Sequence, residues 1–389
     1  MINQKRRDVL NIFKPQDRAT SSQTGDGAIG GQDELPVEEE ACLQYGGLKD
    51  TVQILHLKGA SIEAMDKDIE ALLHRAVRDG DTDMVELLLD KGALIDAINE
   101  YNNTPLHLAA INGQTGVVEL LLDKGALIEA INEDNNTPLH LAVINGQTGV
   151  VELLLDKGAL IEAINEDNNT PLHLAALNGH ACVVELLLDK GALIEAISNY
   201  SNTPLRCAAI MGHTGVVELL LDKGALIEAI DQDNNTPLHL AAWNGHTCVV
   251  ELLLDKGALI EAIDYYSNTP LHYAVIKGHT GVVELLLDKG ALIEAINHRS
   301  STPLHYAAME GHTDVVELLL DNGALIEAID QDNNTPLHLA ALNGHTCVVE
   351  LLLDKGALIG AINEGNNTPL RVATLMEHDD VVQLLKNRS

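Results

Sequence analysis

Histidine and cysteine are the side chains best suited to chemistry here: the 389 residues hold 17 His and 5 Cys. Three pairs, His180/Cys182, His246/Cys248 and His345/Cys347, have the donor types of a zinc centre. Seven further histidines, His107, His140, His173, His239, His272, His305 and His338, each close a Thr-Pro-Leu-His tetrapeptide, and Arg206 and Arg371 stand in that place in two other copies. A histidine in a cleft can serve as a general acid or base, but one placed identically so many times reads as a scaffold residue whose ring ties neighbouring segments by hydrogen bonds. The signatures of other chemistries are missing. The sequence has no Gly-Lys-Ser/Thr phosphate loop, no Gly-x-Ser-x-Gly elbow and no His-Glu-x-x-His pair. No catalytic residue, cofactor or metal site is assigned, and the chain is not read as an enzyme.

The placement of these residues follows from a repeat. Thr-Pro-Leu begins at residues 104, 137, 170, 203, 236, 269, 302, 335 and 368, each 33 after the last. Residues 104–136 and 137–169 differ only at Ala110 against Val143. The register continues backwards through Met84–Ile98 and, more faintly, through Thr51–Met65. The predicted organisation is a flexible segment over 1–35 and a repeat domain over 36–389. Within that domain 36–70 and 71–103 are degenerate units, 104–367 hold eight full ones, and 368–389 form a truncated, more polar cap. Fixed-period units of this size stack into solenoids. Adjacent units are then separated by about the 8–10 Å of packed helices. The three His-x-Cys pairs lie 66 and 99 residues apart (246 − 180 and 345 − 246), two units or more, so they cannot meet at one tetrahedral ion.

Within a unit, Thr104 is a predicted N-cap with Pro105 in the first turn, and Gly113 ends that helix. A second helix runs through Val117–Leu122 to Gly125. Both are too short to persist alone in water, so packing on neighbouring units must hold them. Leu127–Asn136 alternates like a strand and then reaches Asp134-Asn135-Asn136, residues tolerant of left-handed geometry, which predicts a hairpin finger. The Asn-Asn-Thr triplets that match the glycosylation pattern are read as residues of this finger.

The 33-residue period with Thr-Pro-Leu-His-x-Ala resembles the ankyrin repeat family, over residues 36–389. The resemblance implies an all-α repeat solenoid with β-hairpin fingers, the ankyrin-repeat superhelix, with fingers and first helices on a concave face. It also implies a protein-binding scaffold rather than an enzyme. Two positions depart from the family pattern. Asn or Ser (Asn102, Asn135, Asn168, Ser201, Asn234, Ser267, Ser300, Asn333, Asn366) stands where a finger glycine is usual, and Glu129 and its equivalents stand where the hydroxylated Asn is often found. The units are similar to those of ankyrin proteins from intracellular bacterial symbionts and parasites, which suggests an effector acting on host proteins.

Positions that vary between units are the candidates for recognition. They concentrate between 199 and 310: Tyr200, Arg206, Met211, Trp243, Tyr265, Tyr266, Lys277, His298, Arg299, Met309 and Glu310. Tyr, Trp, Met and Arg are enriched at protein interfaces; drift after duplication would leave a similar record. Two apolar columns accompany them. One holds Ile111, Ile144, Leu177, Ile210, Trp243, Ile276, Met309, Leu342 and Leu375, and the other Ile131, Ile164, Ile197, Ile230, Ile263, Ile296 and Ile329. Exposed, they would form an apolar groove; the repetition of one residue type looks more like packing, with each Ile on its neighbouring finger.

Composition agrees with this organisation. With 24 Lys+Arg and 58 Asp+Glu the net charge is −34, which argues against nucleic acid and anionic membrane as partners and for a solvated, monomeric scaffold. One Phe and one Trp cannot fill conventional domain cores. Five cysteines without short-range pairing read as reduced thiols, and no run is long enough to span a membrane. The expected location is cytoplasmic or otherwise intracellular, and secretion into a host cell is compatible with it.

Overall fold

The computed structural model describes residues 62–388 of the chain. The segment 1–35, Cys42 and most of the first degenerate unit lie outside the described residues. The rest is a tandem array of ten helix pairs. The first is α1 (Ile62–Asp79) with α2 (Thr82–Asp90), followed by α3 (Pro105–Ile111) with α4 (Thr115–Asp123), α5 (Pro138–Ile144) with α6 (Thr148–Asp156), and α7 (Pro171–Asn178) with α8 (Ala181–Asp189). The middle pairs are α9 (Pro204–Met211) with α10 (Thr214–Asp222), α11 (Pro237–Trp243) with α12 (Thr247–Asp255), and α13 (Pro270–Ile276) with α14 (Thr280–Asp288). Then come α15 (Pro303–Glu310) with α16 (Thr313–Asp321), α17 (Pro336–Leu342) with α18 (Thr346–Asp354), and α19 (Pro369–Leu375) with α20 (Asp379–Arg388).

Each first helix starts as its sequence dictates. The Thr104 side chain accepts from the His107 backbone N–H, while the Thr104 N–H donates to His107 Nδ1 at 3.1 Å. This reciprocal cap satisfies two helix-end donors at once. Leu106, Ala109, Ala110, Val117, Val118 and Leu121 are buried, as are their equivalents as far as Leu352. Alanines in the first helix allow close helix approach, and the burial of each pair is completed by the next, which is how helices of seven to ten residues persist. Between the helices Gly179 has φ +75, and a Cβ there would come within 2.6 Å of His213 Nδ1 in the following repeat.

The finger differs from the expected hairpin. No strand forms among the described residues. Ala130 N–H donates to Leu127 C=O, and Asn135 N–H to Asn132 C=O, so the segment is two consecutive turns. Neighbouring fingers share only isolated backbone bonds, such as Glu166 N–H to Asp134 C=O at 3.1 Å, too few for a ladder. The alternating apolar residues therefore do not signal strand. The substitution of Asn or Ser for Gly in the finger is accommodated directly: all nine such residues sit at φ between 54° and 62°, where Asn is the most tolerant side chain after glycine.

Polar bonds repeat at each junction beside the apolar contact. His107 Nε2 meets Asn136 C=O at 3.0 Å, Lys157 Nζ meets Asp123 at 2.7 Å, Glu129 accepts from Leu160 N–H at 2.8 Å, and His180 Nε2 meets Ile144 C=O at 3.1 Å. At four junctions an Asn side chain also donates backwards, as Asn132 does to Asn103. The Lys–Asp series has one gap, because Asn322 occupies the place of the Lys that would reach Asp288.

Candidate functional site

The Thr-Pro-Leu-His histidines are structural. Thr N–H donates to Nδ1, which therefore carries no proton, leaving Nε2–H to donate to the carbonyl ahead of the next Thr. Burial holds these imidazoles below their ordinary pKa against the opposing pull of the carbonyl acceptor; His140 and His272 are pushed down to about 4. The imidazoles of the three His-x-Cys pairs are likewise engaged, each with a carbonyl of the preceding repeat. Cys182, Cys248 and Cys347 are exposed. Among the described residues, no three His, Cys, Asp or Glu side chains gather as metal ligands would.

Arg206 is not a surface residue, which corrects the sequence expectation. It is 1% exposed and paired through Nη2 with Asp231, while Nη1 donates to Ser201 C=O at 2.7 Å. An arginine is too long for the histidine slot, so its guanidinium reaches the base of the following finger. There Asp231 replaces the Asn found in repeats such as 104–136, and its other oxygen still accepts from Asp233 and Asn235 N–H. The same burial pushes the neighbouring Cys207 thiol up to about 12, against the pull of the guanidinium.

The other variable residues are accessible. Tyr265 and Tyr266 are 62% and 57% exposed and meet edge to face, with ring centroids 5.2 Å apart. His298 and Arg299 are exposed on the next finger, where His298 N–H donates to Tyr266 C=O and His298 Nδ1 lies 3.0 Å from Ser267 Oγ. On the first-helix side, Trp243 is half-buried against Tyr273 at 5.2 Å, and Lys277 Nζ sits 4.0 Å from the Trp243 ring centroid, within cation–π range. Tyr200, Met211 and Met309 are half-buried, and Glu310 is exposed.

Tyr273 joins the two groups, a residue the sequence reading did not single out. Its hydroxyl donates to Asp264 at 2.7 Å, and Asp264 accepts from Tyr266 N–H. Contacts therefore run from Lys277 through Trp243, Tyr273 and Asp264 to Tyr266 and His298. Burial and the adjacent Asp264 carboxylate push the Tyr273 hydroxyl up, so it remains a donor. Tyr306 repeats the arrangement one unit on, accepting from Asn297 Nδ2 at 2.6 Å. The available signal was Tyr at 273 and 306, where the repeat usually has Leu.

The finger isoleucines are exposed rather than packed. Ile131, Ile164, Ile197, Ile230, Ile263, Ile296 and Ile329 range from 52% to 65%, and Leu127 and its equivalents are as open. Their alternation places them outward on the turns, away from the helices that bury Ala126. The helix column divides differently: Ile210 is buried, Leu375 is exposed, and the remainder are half-buried.

The sequence that forms these repeats also matches a family model. A sequence model described as ankyrin repeats (3 copies) matches residues 40–132, 127–198, 159–231, 193–264, 226–297, 262–330 and 325–389. The chain belongs to the ankyrin repeat family, whose repeats are generally protein–protein interaction domains and usually non-catalytic. No curated protein matches it. Among the described residues, no helix is long and apolar enough to cross a membrane.

Proposed function

We propose that the chain is a protein-interaction scaffold that seats a protein partner on the face formed by its fingers and first helices, between residues 199 and 310. The observation that carries this reading is the Tyr265–Tyr266 pair. Two large aromatic side chains stand more than half exposed in a chain with very few aromatics, and no core requires them. Clustered aromatics that can be desolvated dominate the affinity of many interfaces. The isoleucine ladder is uniform along the array, so it offers apolar area without marking a place; Tyr200, Met211, Trp243, Lys277, His298, Arg299, Met309 and Glu310 supply the differences. Arg206 contributes indirectly, by shaping the finger that carries Asp233.

The test is proximity labelling in cells with the intact chain and with Tyr265→Ala/Tyr266→Ala. Loss of a defined set of labelled proteins with thermal stability kept supports the site. Unchanged labelling overturns it and leaves a mechanical or stabilising scaffold. Action on host proteins, suggested by the resemblance to repeats of intracellular bacteria, belongs to the same proposal; the identity of the labelled proteins decides it.

A further inference from the structure

Ten basic side chains occur between Thr104 and Asn367. Seven are the second-helix lysines, each held by an Asp of the preceding repeat. Arg206 is buried on Asp231. Only Lys277 and Arg299 are left, and among the described residues no carboxylate pairs with either. Both are exposed; Lys277 starts the contact chain through Trp243, Tyr273, Asp264, Tyr266 and His298, and Arg299 follows His298 on the same finger.

The charge of successive repeats singles out the same place. Residues 104–136 hold one Lys against five acids (Glu119, Asp123, Glu129, Glu133, Asp134), 1 − 5 = −4. Residues 269–301 hold Lys277, Lys289 and Arg299 against Glu284, Asp288 and Glu294, 3 − 3 = 0. Residues 302–334 hold seven acids and no Lys or Arg, −7. At the finger tips the change is sharper still. Glu133-Asp134 and Glu166-Asp167 give way to Tyr265-Tyr266 and then His298-Arg299, before Gln331-Asp332 restores the acid. Asp233 lies on the other side of the tyrosines, where the nearby Arg206 is already paired with Asp231, so that border has no spare cation.

We propose that this strip recognises an acidic side chain, or a short acidic cluster beside an apolar residue, in an extended segment of the partner protein. This rests on the fingers and first helices being the binding face, as proposed above. Lys277 and Arg299 would pair with the partner's carboxylates while Tyr265, Tyr266 and Trp243 cover its apolar neighbour. The flanking acids, Asp233 on one side and Glu310 and Asp332 on the other, would repel a longer acidic run. The surrounding negative charge thus acts as a filter: a carboxylate is accepted at one repeat and rejected along the others, which fixes the register of the bound segment.

The experiment is selection from a random 12-residue peptide display library on the intact chain. The expected result is enrichment of peptides with one or two Asp or Glu next to an aromatic or aliphatic residue. Lys277→Glu/Arg299→Glu should weaken the selected peptides by at least about 10-fold, as for a charge-assisted hydrogen bond, and should shift selection towards Lys and Arg. Lys277→Gln/Arg299→Gln, with thermal unfolding measured alongside, separates lost charge from lost folding and should also weaken binding. Basic or neutral peptides selected by the intact chain, or acidic ones insensitive to both variants, overturn the proposal. If those peptides nevertheless lose binding on Tyr265→Ala/Tyr266→Ala, the binding face stands and only the acidic preference fails. If they bind that variant equally, or if no peptide is enriched, both readings fail.

Discussion

Arg206 and Asp231 form a buried ion pair between the start of α9 and the base of the following finger, in the slot that histidine fills in most other repeats. The same finger position is also acidic after two histidines, as Asp264 after His239 and Asp330 after His305, so the carboxylate is not peculiar to the arginine. Histidine is neutral and needs only a carbonyl, whereas arginine needs an anion, and the Asn-to-Asp difference at 231 supplies it. The guanidinium Nε still has no acceptor, so the pair is not a perfect replacement.

Asp231→Asn should therefore destabilise the array by about 3–5 kcal/mol, the usual cost of leaving a buried charge without its partner. Arg206→His/Asp231→Asn should recover most of that loss. Urea unfolding of the two variants and the parent checks this; equal stability of the single and double variants would show that the pair is not coupled.

Acid should weaken the array through its buried histidines. Their folded pKa lies below the unfolded value, so in the interval between the two the unfolded chain binds more protons. Stability is present above the ordinary value of 6.5 and falls as pH is lowered towards about 4, the folded value of His140 and His272. Each fully shifted histidine contributes up to roughly 3 kcal/mol to this loss. Urea midpoints measured between pH 7.5 and 4 should decrease steadily, with the steepest part below pH 6.5.

Glu377 occupies φ +61, a position filled by glycine in the other repeats. A non-glycine residue there costs about 1 kcal/mol or more. Glu377→Gly should raise the stability of the last pair, α19 and α20, by about 1 kcal/mol, less the extra chain entropy of glycine. Slower amide exchange confined to α20 is the expected readout.

Asn322→Lys should restore the missing link to Asp288. The pair would be solvent-exposed, so the gain is at most about 1 kcal/mol and should shrink with added salt. Exchange protection in α14 and α16, compared at low and high ionic strength, measures it.

The period of 33, the Thr cap and the glycine breaks made the helices legible, because those features act within a few residues of sequence. The finger was less so. Ala-Leu-Ile-Glu-Ala-Ile alternates like a strand, yet a strand needs a partner ladder, and single bonds between fingers do not supply one. Exposure of the isoleucines was obscured for the same reason: the number of copies suggests packing, while the turn geometry sends them outward. Within the site, Tyr265, Tyr266 and Lys277 could be found as departures from the repeat. Arg206 was a departure too, but its direction was set by Asp231, 25 residues away, and only the fold brings those two together. Tyr273 was missed because a Tyr in place of Leu looks like core.

The bonds across each junction share a direction. Apart from the Thr-Pro-Leu-His imidazoles, Arg206 in the same slot and Asn297 donating to Tyr306, the repeated bonds have the later repeat donating and the earlier accepting, as in Lys157 to Asp123, Leu160 N–H to Glu129 and His180 to Ile144. A stack built this way has unlike ends, one rich in donors and one in acceptors. Two such stacks meeting end to end could match only head to tail, never head to head, and a head-to-tail contact that does not close propagates into a fibre. Gly360 removes the Glu acceptor from the last finger, and α20 carries Lys386 and Arg388. Both changes reduce the acceptor character of the face that the last described pair presents.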